Sequence, residues 1–338
     1  MDRARVLAHR WWTQGLDRSR TGVPAARSPV LDLGVVDVPT PAARTALAIR
    51  GALPPGDDVA LVWGARGAPA LHRRADLQSV ADALWPSSDE DATRRIRNPR
   101  IPAGADLGLA AFRAVAEAVH DVLAGAGRQV TKAELSAGVT ERVPRELTFD
   151  CAPCGSRHVS GSVLQDAGLA GGAELVRVGR GTEFRLLPGL RVPGCRSGFE
   201  DLVAAYLRLL GPAEPSVVAA YFAVAVGEVA SAWPGQPPVP VDRPAARGVR
   251  LLPPGDPWLQ ARDRAFTVPR EFHPRVWKAI GAPGALLVDG EVLGTWRAAA
   301  ARGRLGVTVD GFADLPARVG AALEEEIAVV AAARGLSA

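Results

Sequence analysis

Between residues 3 and 71 the spacing of apolar residues changes from helical to extended, and that order restricts the fold more than any single motif. Val6, Leu7, Trp11, Trp12 and Leu16 form a helical stripe over residues 3–16 that stops near Thr21-Gly22. PAARTALAIR at 41–50 reads as a second short helix, with proline at its start and Gly51 at its end. After the turn PPGDD, the run VALVWGARG and the residues through Leu71 read as paired strands. Helix, helix and a two-stranded wing is the order of a winged helix.

The order recurs. A helical segment at 105–124 precedes TKAELSAGV at 131–139, where Thr131 and Glu134 have the spacing of a capping box. Residues 147–187 supply strands around GGAELVRVGRGTEFRLL. FEDLVAAYLRLLGP and PSVVAAYFAVAVGEVASAW begin a third pass, which ends in a proline-rich linker at 234–245. From 249 the chain turns to β, through VRLLPPGD, GALLVDGEVLGTWR and RLGVTVDGF, with a hairpin turn at Val-Asp-Gly-Glu-Val and an amphipathic helix at 314–334. The expected architecture is therefore α+β, with three tandem winged-helix units followed by a small C-terminal β-barrel. The units fall at 1–100, 101–193 and 194–246, and the barrel with its terminal helix at 247–338.

A length of 338 residues suits several domains with well-buried cores. At 48% hydrophobic and 22% charged residues the chain is globular in composition, which excludes the disordered and fibrous classes. No stretch approaches the ~20 consecutive apolar residues of a membrane span, and MDRARVLAHRWW lacks the apolar core and cleavage site of a leader. A cytoplasmic location is expected. Net charge is +4, and of 40 basic residues only Lys132 and Lys278 are lysines. GC-rich coding accounts for an excess of arginine alongside Ala, Gly and Pro; arginine forks also match phosphate oxygens and guanine edges. The charge permits nucleic-acid binding without establishing it.

Two short stretches carry candidate chemistry. Three cysteines are too few for a disulfide scaffold, but Cys151, Cys154 and His158 in CAPCGSRH have the C-x-x-C spacing that lets two thiolates hold one zinc. Cys195 would complete a tetrahedral set by folding back across about 40 residues. A redox pair, or two ordinary cysteines beside a polar histidine, stand as alternatives, and no other cofactor is expected. The run LGVVDVPTP at 33–41 holds a lone carboxylate, Asp37. Such a residue is most often a helix cap or a turn former, because its side chain accepts bonds from the amides that follow.

LLPPGDPWLQARDR at 251–264 and VDGEVLGTWR at 288–297 resemble the C-terminal hallmark of a bacterial winged-helix DNA-binding family that includes the AlkZ- and YcaQ-type DNA glycosylases. Asp256, Arg262, Asp263, Arg264, Asp289, Gly290 and Trp296 fall in place, and a looser likeness runs from about residue 3 to about 330, including 63–77 and 206–222. The resemblance implies three winged helices and a β-barrel that receive duplex DNA, and excision of alkylated purines. It also implies a Gln-x-Gln or Gln-x-Asp triplet that positions water at the anomeric carbon, and this triplet falls on 33–41. One register puts Asp37 and Pro39 at the two positions and the other puts Val36 at the glutamine; both lack it. A second histidine of the family pattern is Ala70 here, and His72 remains.

Asp37 is then the candidate catalytic group. A carboxylate beside the sugar can stabilise an oxocarbenium-like transition state and take a proton from water, and an N7-alkylated purine is already a cationic leaving group. Arg66, His72, Arg73 and Arg74 are candidate DNA contacts if the first wing faces the duplex, and solvated charge if it does not. Arg262-Asp263-Arg264 reads as an intramolecular ion-pair network. The expected partner is double-stranded DNA carrying an alkylated purine, bound by a monomer in the cytoplasm at the nucleoid. The alternative is a non-catalytic DNA or lesion binder that has lost the triplet.

Overall fold

The computed structural model describes residues 2–179 and 181–338; Met1, and Arg180 of the glycine-rich run, lie outside the described residues. In chain order the elements are α1 (Arg3–Thr13), β1 (Val35–Val36), α2 (Ala42–Ala48), β2 (Val59–Trp63), β3 (Pro69–Arg73), α3 (Leu77–Leu84), α4 (Asp89–Ile96), α5 (Leu109–Ala126), β4 (Val130–Thr131), α6 (Lys132–Thr140), β5 (Thr148–Cys151) and β6 (Ser156–Val159). There follow α7 (Gly161–Gly168), β7 (Ala173–Val178), β8 (Gly181–Leu186), α8 (Phe199–Leu210), α9 (Pro215–Phe222), α10 (Val226–Ser231), β9 (Val249–Leu252), α11 (Arg264–Thr267), α12 (His273–Val276), β10 (Gly284–Val288), β11 (Glu291–Ala301), β12 (Arg304–Gly311) and α13 (Arg318–Ala333). They form two compact units. One takes the residues up to Val59 together with Val203–Tyr221 and Val226–Ala338, and the other takes Ala60–Leu202 and Phe222–Ala225.

In the second of these units the strands run in the order β3-β2-β7-β8-β4. The run VALVW is buried along its whole length because both faces of β2 are covered. Leu61 and Trp63 join a core with Phe112, Val115 and Val119 of α5, whereas Ala60 and Val62 pack with Leu77 and Val80 of α3. A strand with two buried faces loses the polar alternation of a half-buried one, which is why it reads as an unbroken apolar run. The capping box at α6 is formed: Thr131 Oγ1 accepts from the Glu134 amide at 3.2 Å, and the Glu134 carboxylate accepts from the Thr131 amide at 2.7 Å. Among the described residues, strands β5 and β6 pair only with each other, in a separate hairpin.

The other unit is built on an antiparallel sheet in the order β12-β11-β10-β9. Its core joins Leu251, Leu286 and Trp296 of the strands to Leu7 and Trp11 of α1 and to Val330 of α13, so Trp11 is a core residue as the helical stripe implies. The β10–β11 turn has Asp289 at φ 50° and Gly290 at φ 84°, the left-handed pair that a two-residue hairpin turn requires. Asp289 Oδ1 accepts from the Gly248 amide at 2.7 Å and Oδ2 accepts from Arg318 at 2.8 Å, which fixes the turn against its neighbours. The expected barrel is not formed: β12 and β9 end the sheet without pairing to each other, so it is open. Four strands are too few to curl round and close, and α13 packs against β9 instead. Among the described residues no helix is long and apolar enough to cross a membrane.

Candidate functional site

Asp37 lies between β1 and α2 and is 6% exposed. Its Oδ1 accepts from the Ala43 amide at 3.1 Å and its Oδ2 accepts from Thr40 Oγ1 at 2.9 Å. Ala43 lies in the first turn of α2, where backbone amides have no partner inside the helix, and a carboxylate there also meets the positive end of the helix dipole. The side chain is thus a cap, as the residue type suggests.

The flanking residues are held by the 251–264 motif. A Cβ built on Gly255, whose φ is +74°, would lie 3.4 Å from both Val36 Cγ1 and the Val38 carbonyl. Next to it, Asp256 takes both arms of Arg50 at 2.8 and 2.9 Å, the two side chains being 0% and 2% exposed. Arg50 gives its remaining donors to Gln14 O, Gln14 Oε1 and Ala46 O, so all five N–H groups are used. The C-terminal end of α2 is therefore pinned to the motif. Asp263 takes Arg10 in the same bidentate way at 3.3 and 2.6 Å, and Arg264 lies 4.8 Å from the Trp277 ring. Of the expected Arg262-Asp263-Arg264 network, Asp263 makes its ion pair with Arg10 and Arg264 stacks on Trp277, whereas the buried Arg262 Nε has no hydrogen-bond partner among the described residues.

The wing residues belong to the β2–β3 hairpin of the other unit. Arg66 is exposed in the turn at φ 60°, followed by Gly67 at φ 65°. A Cβ on Gly67 would lie 2.8 Å from Gln165 Cβ and 3.0 Å from Asp166 Oδ1, so the turn seats closely on α7. Arg73 pairs with Asp76 at 3.1 Å. Arg74 and Arg185 both clasp Glu174; burial opposes its ionisation, but the bonds from Arg185 and Arg74 outweigh this and hold the carboxyl below its usual range. His72 differs from the expectation of a wing residue open to DNA or solvent. It is 2% exposed, and neither ring nitrogen has a hydrogen-bond partner among the described residues. The two-residue period of β3 puts Ala70 and His72 on its buried side. Burial pushes the imidazole down to about 4, so it is neutral at ordinary pH.

Two residues escaped the sequence reading. Asp166 on α7 lines a small pocket with Arg66, Arg95 and Phe199. Burial raises its carboxyl to about 6, with Arg95 opposing and Asp91 reinforcing the rise. Arg50, whose partner lies 206 residues away, carried no local signal at all. Of the four metal-ligand candidates, Cys151, Cys154 and His158 come together, their ligand atoms all within 4.8 Å of one another. Cys195 is exposed and stands outside this group, so it does not complete the expected tetrahedral set.

The chain matches the family described as DNA glycosylase AlkZ-like over residues 30–333. The structure of Streptomyces sahachiroi DNA glycosylase AlkZ aligns with it at a TM-score of 0.71 and 20% sequence identity, covering 99% of this chain and 97% of that one. No curated protein matches the chain.

Proposed function

Because the chain belongs to the AlkZ-like family of DNA glycosylases, we propose that it binds duplex DNA as a monomer and hydrolyses the N-glycosidic bond of an alkylated purine, with Asp37 activating the water. The observation that carries this reading is the family match, whose span of 30–333 takes in both the Asp37 loop and the β2–β3 wing. In the proposed step the bond between the anomeric carbon and the base nitrogen breaks and its electron pair neutralises the alkylpurinium. Water adds to the anomeric carbon, and its proton passes to Asp37, leaving an abasic sugar and a free base. Thr40 and Ala43 hold the carboxylate in place for this.

The DNA-facing surface is assigned to the β2–β3 wing, with Arg66 as the exposed phosphate contact and Arg73 and Arg74 beside it. His72, buried beneath them, would act only by keeping the hairpin's shape. Three winged-helix modules at 1–100, 101–193 and 194–246 are part of the same reading. What supports them is a recurring element order: α1, α2 and the β2–β3 hairpin, then α5, α6, α7 and the β7–β8 hairpin, then α8, α9 and α10. The cytoplasm, at the nucleoid, is where such an activity would operate.

A single-turnover assay on a duplex with one N7-alkylguanine, followed by alkaline cleavage, tests the proposal. Abasic-site formation above spontaneous depurination, lost in Asp37→Asn, is the expected result. One observation favours a second reading, a lesion binder without catalysis: Asp37 Oδ1 already caps an α2 amide and Oδ2 is held by the Thr40 hydroxyl. Salt-sensitive binding with no abasic product from the wild-type protein would select it.

A further inference from the structure

The CAPCGSRH hairpin gathers three soft ligands by simple strand geometry. Cys151 pairs across the ladder with Ser156, and Phe149 with His158. Residues directly opposite share a face, and so do residues two apart on one strand, which puts Cys151 and His158 on the same side as diagonal neighbours. Cys154 reaches them through the turn: the amides of Cys154 and Gly155 both donate to the Cys151 carbonyl, at 3.1 and 2.9 Å, with Gly155 at φ +61°. The chain thereby doubles back over Cys151, and the three ligand atoms end within 4.8 Å of one another.

From this convergence we propose that Cys151, Cys154 and His158 bind one zinc ion, which clamps the β5–β6 hairpin. Bond lengths of about 2.3 Å to sulfur and about 2.0 Å to nitrogen put the ligand atoms of a tetrahedral zinc about 3.5–3.8 Å apart. The observed spacing therefore needs only small side-chain rotations. Two thiolates and an imidazole favour zinc over calcium or magnesium, which take oxygen ligands. Ser156 Oγ lies 3.2 Å from His158 Nε2, a ready partner for the ring nitrogen that does not take the metal. All three cysteines are free thiols, and the cluster is accessible, Cys154 being exposed and Cys151 partly so. With Cys195 elsewhere, the fourth position is left to water or an external ligand. Val159 of β6 is part of the core and Phe149 of β5 packs against it, so the hairpin's base is already anchored and the metal would clamp its turn end.

The test uses the full-length protein, purified reduced and metal-free, then titrated with Zn²⁺ and separately with Co²⁺. The expected result is about one ion per chain, with thiolate-to-cobalt charge-transfer absorption that Zn²⁺ abolishes. Cys151→Ser, Cys154→Ser and His158→Ala lose that absorption, while Cys195→Ser and the ligand-conserving His158→Cys keep it. Circular dichroism of each variant separates loss of the site from loss of the fold. No uptake by reduced wild-type protein would overturn the assignment, as would loss of uptake in Cys195→Ser or full retention in the Cys151 and Cys154 variants.

Discussion

Asp256 has no solvent access, and its charge is answered by an arginine whose five donors are all occupied. Removing the acid alone would leave Arg50 charged and buried, so Asp256→Ala is expected to cost about 3–5 kcal/mol in urea denaturation. The double variant Arg50→Met/Asp256→Leu, which removes both charges, should recover much of that loss. A loss under about 1 kcal/mol in the single variant would mean that the pair is solvated and ordinary. Asp256 stood out in the sequence through its motif, but its role did not, because nothing near residue 256 announces a partner at residue 50. Asp37 was legible as a cap from residue type alone, and the Ala43 and Thr40 bonds agree. Asp166 gave no sign, since its altered carboxyl depends on burial and on Arg95 and Asp91, more than 70 residues upstream on another helix.

At the scale of elements, the strongest local signals carried through to structure. The α1 stripe, the Thr131–Glu134 box and the Asp289-Gly290 turn each depend on a few adjacent residues, so they survive whatever the rest of the chain does. The barrel did not carry through, because closure is a property of four strands together and no strand sequence encodes it. Inside that open sheet the packing of β10 on β11 is tight enough to test. A Cβ on Gly284 would fall 2.3 Å from Trp296 Nε1, which donates to Leu252 O at 2.8 Å, and 2.5 Å from that same carbonyl. Gly284→Ala is therefore expected to destabilise by about 1–3 kcal/mol with a change in tryptophan emission. Gly306→Ala, whose new methyl would find nothing nearer than 3.6 Å, should be close to neutral. Equal effects at the two positions would refute the contact. On the β2–β3 wing, Arg66→Ala should weaken duplex binding about equally for all sequences and lower the salt slope by about 1. An unchanged slope would remove the wing from the DNA surface.

The whole molecule responds to pH through two groups that work against each other. His72 is held near 4 when folded, against about 6.5 in an unfolded chain, so between those values only the unfolded chain carries the proton and stability falls as pH falls. Asp166 is the reverse: raised to about 6 from about 4, it is protonated in the folded chain where the unfolded chain has already ionised, and stability rises as pH falls through 6. Each effect is worth up to about 3 kcal/mol, and over pH 4–6 they largely cancel. Single variants should uncover the two slopes. Asp166→Asn, which removes the cost of a partly buried carboxylate, should gain stability over the parent at pH 7.5 and lose that advantage by pH 4.5. His72→Leu should move the other way, gaining on the parent as the pH is lowered over the same range, and the double variant should return to the parent's profile. Urea unfolding of the four proteins at both pH values reads the differences directly. Four parallel profiles would mean that neither group titrates abnormally, and that the unpartnered burial of His72 has no energetic consequence.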